Sequence, residues 1–128
     1  MNRMLEYYEA GNLESEELVV FLQGWPDNAE LWNWINWKEE LSSKHLLFIN
    51  FPNTNGKVDI KWGKDFPEII EDLKLTIGSL NVTKKKKLLV GHDWGCFYGY
   101  MFDQKYPGYF NELIMMDVPA VTELKSIK

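Results

Sequence analysis

"LLVGHDWGCFYGY", residues 88–100, passes from an apolar run through a glycine-spaced turn into aromatic residues. Asp93 stands at the centre of the turn, with Gly91 and Gly95 two residues to either side. A strand that turns at once into a helix presents the side chain at the bend above the sheet, on a strained backbone. Small residues on both sides of the bend let the helix pack close to the strand. The helix N-terminus then aims N–H groups and a partial positive charge at the same spot. A carboxylate held there is a usable nucleophile.

Outward from this bend, the chain alternates strand and helix patterns. "RMLEYYEAGN" has strand character and ends in a Gly-Asn turn. Leu18–Leu22 and "HLLFINF" are short apolar runs closed by Gly and Pro, the pattern of buried strands. Asn28 can cap a helix through "AELWNWINWKEEL", and "TNGKVDIKWGK" reads as loop. "DFPEIIEDLKLTIGSL" is the clearest helix. Asp65 and Glu68 make a capping pair, and Phe66, Ile69, Ile70, Leu73, Ile77 and Leu80 form one stripe. Strand "KLLVG", helix "WGCFYGYMFDQKYP" and strand "ELIMMDVP" follow. The alternation predicts an α/β fold: a mostly parallel sheet of about five strands with flanking helices, in one domain spanning residues 1–128. Open sheets of this kind place their chemistry at the carboxyl ends of the strands.

Composition narrows the partners. A 45% hydrophobic and 15% aromatic chain is a folded one. The formal net charge of −5 gives no general attraction to nucleic acid or to an anionic membrane. Lys84–Lys87 reads as a solvated connector rather than a phosphate site. No apolar stretch is long enough to span a bilayer, and "MNRMLEYYEAGN" is too polar for a signal peptide. The single cysteine, Cys96, precludes an intrachain disulfide and fits a reducing, intracellular compartment better than a secreted one. Cys96 reads as a packed, inert thiol, and Trp32, Trp34 and Trp37 as packing residues. Nothing in the sequence implies a metal or a cofactor.

"VGHDWG" between a strand and a helix resembles the nucleophile elbow of the α/β-hydrolase superfamily, in the branch with an Asp nucleophile: epoxide hydrolases and haloalkane dehalogenases. "FLQGWPD" after an earlier strand resembles that branch's oxyanion loop. The resemblance runs from about residue 3 to residue 120. It implies that Asp93 is the nucleophile that opens a small apolar epoxide or halide to a covalent ester. The backbone N–H groups of Trp25 and Trp94 then form the oxyanion hole. An aromatic residue at Trp25 is similar to the epoxide hydrolases rather than the dehalogenases.

Three departures accompany the resemblance. Gln23 stands where the family usually has His, and "NFPNTNGKVDI" matches the family's acidic, glycine-containing loop poorly. The sequence also ends nine residues after "ELIMMDVP", before the family's cap domain, C-terminal strands and water-activating His. His45 precedes a buried strand and His92 lies inside the elbow, so neither suits that role. The expectation is a partial α/β-hydrolase fold, the N-terminal half of an epoxide-hydrolase-like enzyme, which does not turn over alone. The alternative is a non-catalytic, hydrolase-derived subunit or scaffold, and a simple small-molecule binding module is a third reading. Either of the first two expects another protein chain along the Glu112–Pro119 strand edge.

Overall fold

The computed structural model describes residues 4–22, 41–51, 66–80 and 84–116. Along the chain these form β1 (Glu6–Gly11), β2 (Glu17–Leu22), β3 (His45–Asn50), α1 (Phe66–Leu80), β4 (Lys86–His92), α2 (Trp94–Lys105) and β5 (Glu112–Met116). The helix expected after Asn28, the loop at 54–64, Asp65 of the capping pair, and Asp117–Pro119 lie outside the described residues.

The five strands make one sheet in the order β1-β3-β2-β4-β5. β3, β2, β4 and β5 run parallel, and β1 pairs antiparallel with β3. The exception has a local cause. Only residues 12–16 join β1 to β2, whereas a parallel connection needs a dozen residues or more. The reversal is tight. Gly11 has φ 75°, a side chain there would collide with the Lys44 carbonyl, and Asn12 N–H donates to that same carbonyl at 2.9 Å. The Asn12 side-chain oxygen then accepts from Glu14 N–H at 3.0 Å, closing the turn expected from the Gly-Asn pair.

β2 and β3 read as continuous apolar runs because both of their faces are covered. Leu18–Leu22 and Leu46–Ile49 are all buried. Their side chains alternate between two clusters. Leu18, Val20, Leu22, Leu47, Ile49 and Leu89 join Ile69, Ile70, Leu73 and Ile77 of α1 and Phe102 of α2 on one face. Val19, Phe21, Leu46, Phe48 and Val90 occupy the other. On that second face Tyr8, Phe48 and Phe21 stack across three strands, with ring centroids 4.8 and 4.7 Å apart.

The strand order also locates a crevice. β2 and β4 are neighbours, yet the chain leaves β2 toward β3 and leaves β4 toward β5, on opposite sides. Such a switch point opens a cleft at the carboxyl ends of the two strands. Leu22 pairs with Gly91 there, so the carboxyl end of β2 lies one strand spacing, roughly 5 Å, from the strand end that leads into the bend.

Candidate active site

Asp93 stands between β4 and α2 with φ 54° and ψ −118°, the only non-glycine positive φ among the described residues. Such a conformation costs on the order of 1–3 kcal/mol and persists only where its surroundings enforce it. An Asp at this position ordinarily accepts an N–H of the helix's first turn through its side chain. Here Cys96 N–H donates instead to the Asp93 backbone carbonyl at 2.9 Å, and the side chain makes no capping hydrogen bond. The carboxylate is not spent on the helix.

Close packing enforces the bend. A Cβ on Gly91 would lie 3.1 Å from the Gly95 backbone and 2.8 Å from Met115 Sδ. A Cβ on Gly99, one turn further along, would lie 2.6 Å from Met115 Cε and 3.0 Å from Leu89 Cδ2. Glycines on the strand and on the helix bring α2 down onto β4, and Met115 fills the remaining gap from β5. The roles of Gly99 and Met115 are not apparent from the sequence alone. The four-residue spacing of Gly95 and Gly99, which puts them on one helix face, was the available signal for the first. The outgoing strand is tied to the bend as well: Asp93 N–H points at Met116 O at 3.5 Å, and Cys96 Sγ donates to the same oxygen at 3.3 Å. Cys96 is fully buried, as expected of a packed thiol.

Aromatic side chains surround the carboxylate's end of the sheet. Trp94 opens α2 with 39% of its surface exposed, and its ring lies 5.2 Å from that of Phe97. Phe51, just past β3, stacks on Tyr98 at 4.2 Å, and burial raises the Tyr98 hydroxyl pKa above the usual phenol range. Trp94 N–H belongs to the first turn of α2, where backbone N–H groups point out along the helix axis. Trp25 and Gln23, on the expected oxyanion loop, lie outside the described residues, as do Trp32, Trp34 and Trp37.

The two histidines are far apart. His92 ends β4 beside Asp93, whereas His45 begins β3, opposite Leu18, which in turn pairs with Lys87. Six residues of strand from Lys87 to Asp93 put His45 roughly 20 Å away, at the other end of the sheet. No group of three or more His, Cys, Asp or Glu that could hold a metal occurs among the described residues. No helix among them is long and apolar enough to cross a membrane.

The lysine run is largely solvated, as expected of a connector, with Lys85 and Lys86 exposed and the outer two lysines in contact with neighbouring groups. Lys84 Nζ donates to the carbonyls of Leu13 and Ser15, and Lys85 lies 3.4 Å from Glu16. Lys87 Nζ sits 4.7 Å from the centre of the Tyr109 ring. These contacts staple the amino ends of the strands, the end remote from Asp93.

No protein-family model matches the chain. It is 26% identical to epoxide hydrolase 3 of Mus musculus, over 94% of this chain and 32% of that protein. Among solved structures it is similar to an epoxide hydrolase from Bacillus megaterium, at 27% identity and a TM-score of 0.75. That match covers 97% of this chain and 44% of the other. It also resembles an α/β-hydrolase enzyme from a Medee basin deep-sea metagenome library, at 19% identity and a TM-score of 0.74, over 87% of this chain and 40% of that one. The chain therefore spans about a third of the Mus musculus relative and less than half of either solved structure. Its architecture is a partial α/β-hydrolase fold.

Proposed function

We propose that this chain, with its partial α/β-hydrolase fold and epoxide-hydrolase relatives, carries the nucleophile of an epoxide-opening reaction. The observation behind the reading is Asp93 itself: a carboxylate on a strained left-handed bend, at a helix N-terminus and a strand switch point, making no cap bond. One Asp93 oxygen attacks an epoxide carbon. The carbon–oxygen bond breaks, the released alkoxide takes a proton from solvent water, and an ester joins Asp93 to the opened substrate. Backbone N–H groups of Trp94 and Trp25 stabilise the oxyanion formed when water later attacks the ester carbonyl. Trp94 and Phe97 favour a small apolar or aromatic substituent.

Release of the ester needs a base for the attacking water. His45 is remote and bonded to Glu9, so in this reading the base comes from a polypeptide completing the sheet beyond β5. The chain alone then reacts once and stalls. The Bacillus megaterium relative has been crystallised with a naphthyloxy-propanediol product, which makes the matching naphthyl glycidyl ether a suitable probe. Incubation with this epoxide should add one ester to the intact protein by mass spectrometry, located at Asp93 and missing in Asp93→Asn. Sustained diol formation by the pure 128-residue chain would overturn the single-turnover reading.

A second reading, a non-catalytic subunit that kept the fold as a scaffold, is favoured by Gln23 in place of the family's His. It predicts no adduct at Asp93 under any condition.

A further inference from the structure

His45 is a buried ionisable side chain that the epoxide chemistry leaves unused. Only 3% of its side-chain surface is exposed. Its Nε2 lies 2.6 Å from a carboxylate oxygen of Glu9, on the neighbouring antiparallel strand. Glu9 stands opposite Leu47, so the pair is a diagonal one, on the sheet face that packs against α1. The other ring nitrogen, Nδ1, is buried with no hydrogen-bond partner. A neutral ring satisfies this arrangement best, with Nε2–H donating to Glu9 and only a lone pair left facing the core. A second proton would put a buried N–H at Nδ1 with nothing to accept it, and a charge in an apolar setting.

The charged neighbours are few. Glu9 faces the ring from β1. Lys84, held on the turn carbonyls of Leu13 and Ser15, adds positive potential from the segment before β4. Lys44, adjacent on the chain, is paired with Glu17 of β2. The buried charged side chain of α1, Asp72, lies one turn before Thr76, which accepts Leu5 N–H at the far end of β1. Burial outweighs the Glu9 carboxylate, and the ring's pKa sits below the ordinary histidine value.

We propose that His45 and Glu9 form a proton-released latch: the neutral pair clamps β1 onto the sheet, and acidification frees that strand. The sign follows from linkage. Once β1 opens, His45 is solvated and titrates near its ordinary value of about 6.5. Between that value and the lower one of the closed state, opening takes up a proton, so β1's stability falls as pH drops through this window and levels off below it. Within the window the open fraction rises by up to about tenfold per pH unit.

Hydrogen exchange of the full 128-residue chain, corrected for intrinsic rates, tests this at about pH 7.5 and about pH 5. Amide protection at residues 6–11 should fall relative to β2 and β4, by at most roughly tenfold for each pH unit below about 6.5. His45→Gln keeps a donor for Glu9 but does not titrate, and should abolish the differential. Equal protection at both pH values in the native chain, or the same loss in His45→Gln, would overturn the latch. NMR of the native ring decides independently of any variant. A neutral Nε2–H tautomer titrating below the ordinary histidine range supports the proposal, and a midpoint at or above that range refutes it.

Discussion

The thioether of Met115 occupies the space that a side chain on Gly91 would need: a Cβ there would lie 2.8 Å from Met115 Sδ. Gly91 precedes the bend and Met115 belongs to the next strand, so the strand that follows α2 in sequence props the turn that begins it. Interiors are packed densely enough that one added methyl is felt.

Gly91→Ala should therefore destabilise the chain by about 1–3 kcal/mol in urea titration, through overpacking. Adding Met115→Ala should recover part of that loss, because one of the two obstacles is gone while the Gly95 backbone remains. A Gly91→Ala chain as stable as the native one would show that the bend is loosely held.

Asp93 stores strain that glycine would not. At φ 54° glycine meets no Cβ penalty. Asp93→Gly should stabilise the fold by about 1 kcal/mol while abolishing adduct formation, a trade of stability for chemistry. A loss of stability in that variant would mean that the carboxylate holds the bend rather than serving a reaction.

The legible parts of this fold are those whose cause is local. Leu18–Leu22 and Leu46–Ile49 announce buried strands because both sheet faces demand apolar side chains, and the spacing of Gly91 and Gly95 announces the bend at Asp93. The stripe Ile69, Ile70, Leu73 and Ile77 announces the buried face of α1. Relationships between distant residues were not legible. β1 pairs with β3 rather than with its sequence neighbour β2, and His45 meets Glu9 across 36 residues. Lys84 reaches back to the carbonyls of Leu13 and Ser15. Each depends on strand order, which no period in the sequence encodes.

Thr76 offers a test of how β1 is held at its other end. Its hydroxyl accepts Leu5 N–H at 2.8 Å and donates to the Asp72 carbonyl at 2.7 Å, both buried. Thr76→Val keeps the shape but strands the Leu5 donor, and should cost about 1–3 kcal/mol. Thr76→Ser keeps the hydroxyl and should lose less, the remainder reflecting the missing methyl. Equal losses in the two variants, measured by thermal or urea unfolding, would refute the role of the hydrogen bond.

The outer edge of β5 carries the prediction about partners. Among the described residues β5 pairs only with β4, which makes it an edge of the described sheet. Native edges are commonly blunted by a lysine, a proline or a bulge. Glu112–Met116 has no lysine or proline, and Ile114 is 48% exposed. Such an edge is a ready template for another strand. The chain should therefore exceed its monomer mass in light scattering, or co-purify with a second polypeptide, and the N–H groups facing away from β4 should be protected from exchange. Ile114→Lys places a charge in the middle of that edge and should shift the population toward monomer. It touches neither Asp93 nor the core, so the fold should survive the change. A native chain that is already a monodisperse monomer, with a mass distribution identical to that of Ile114→Lys, would show that this edge recruits nothing.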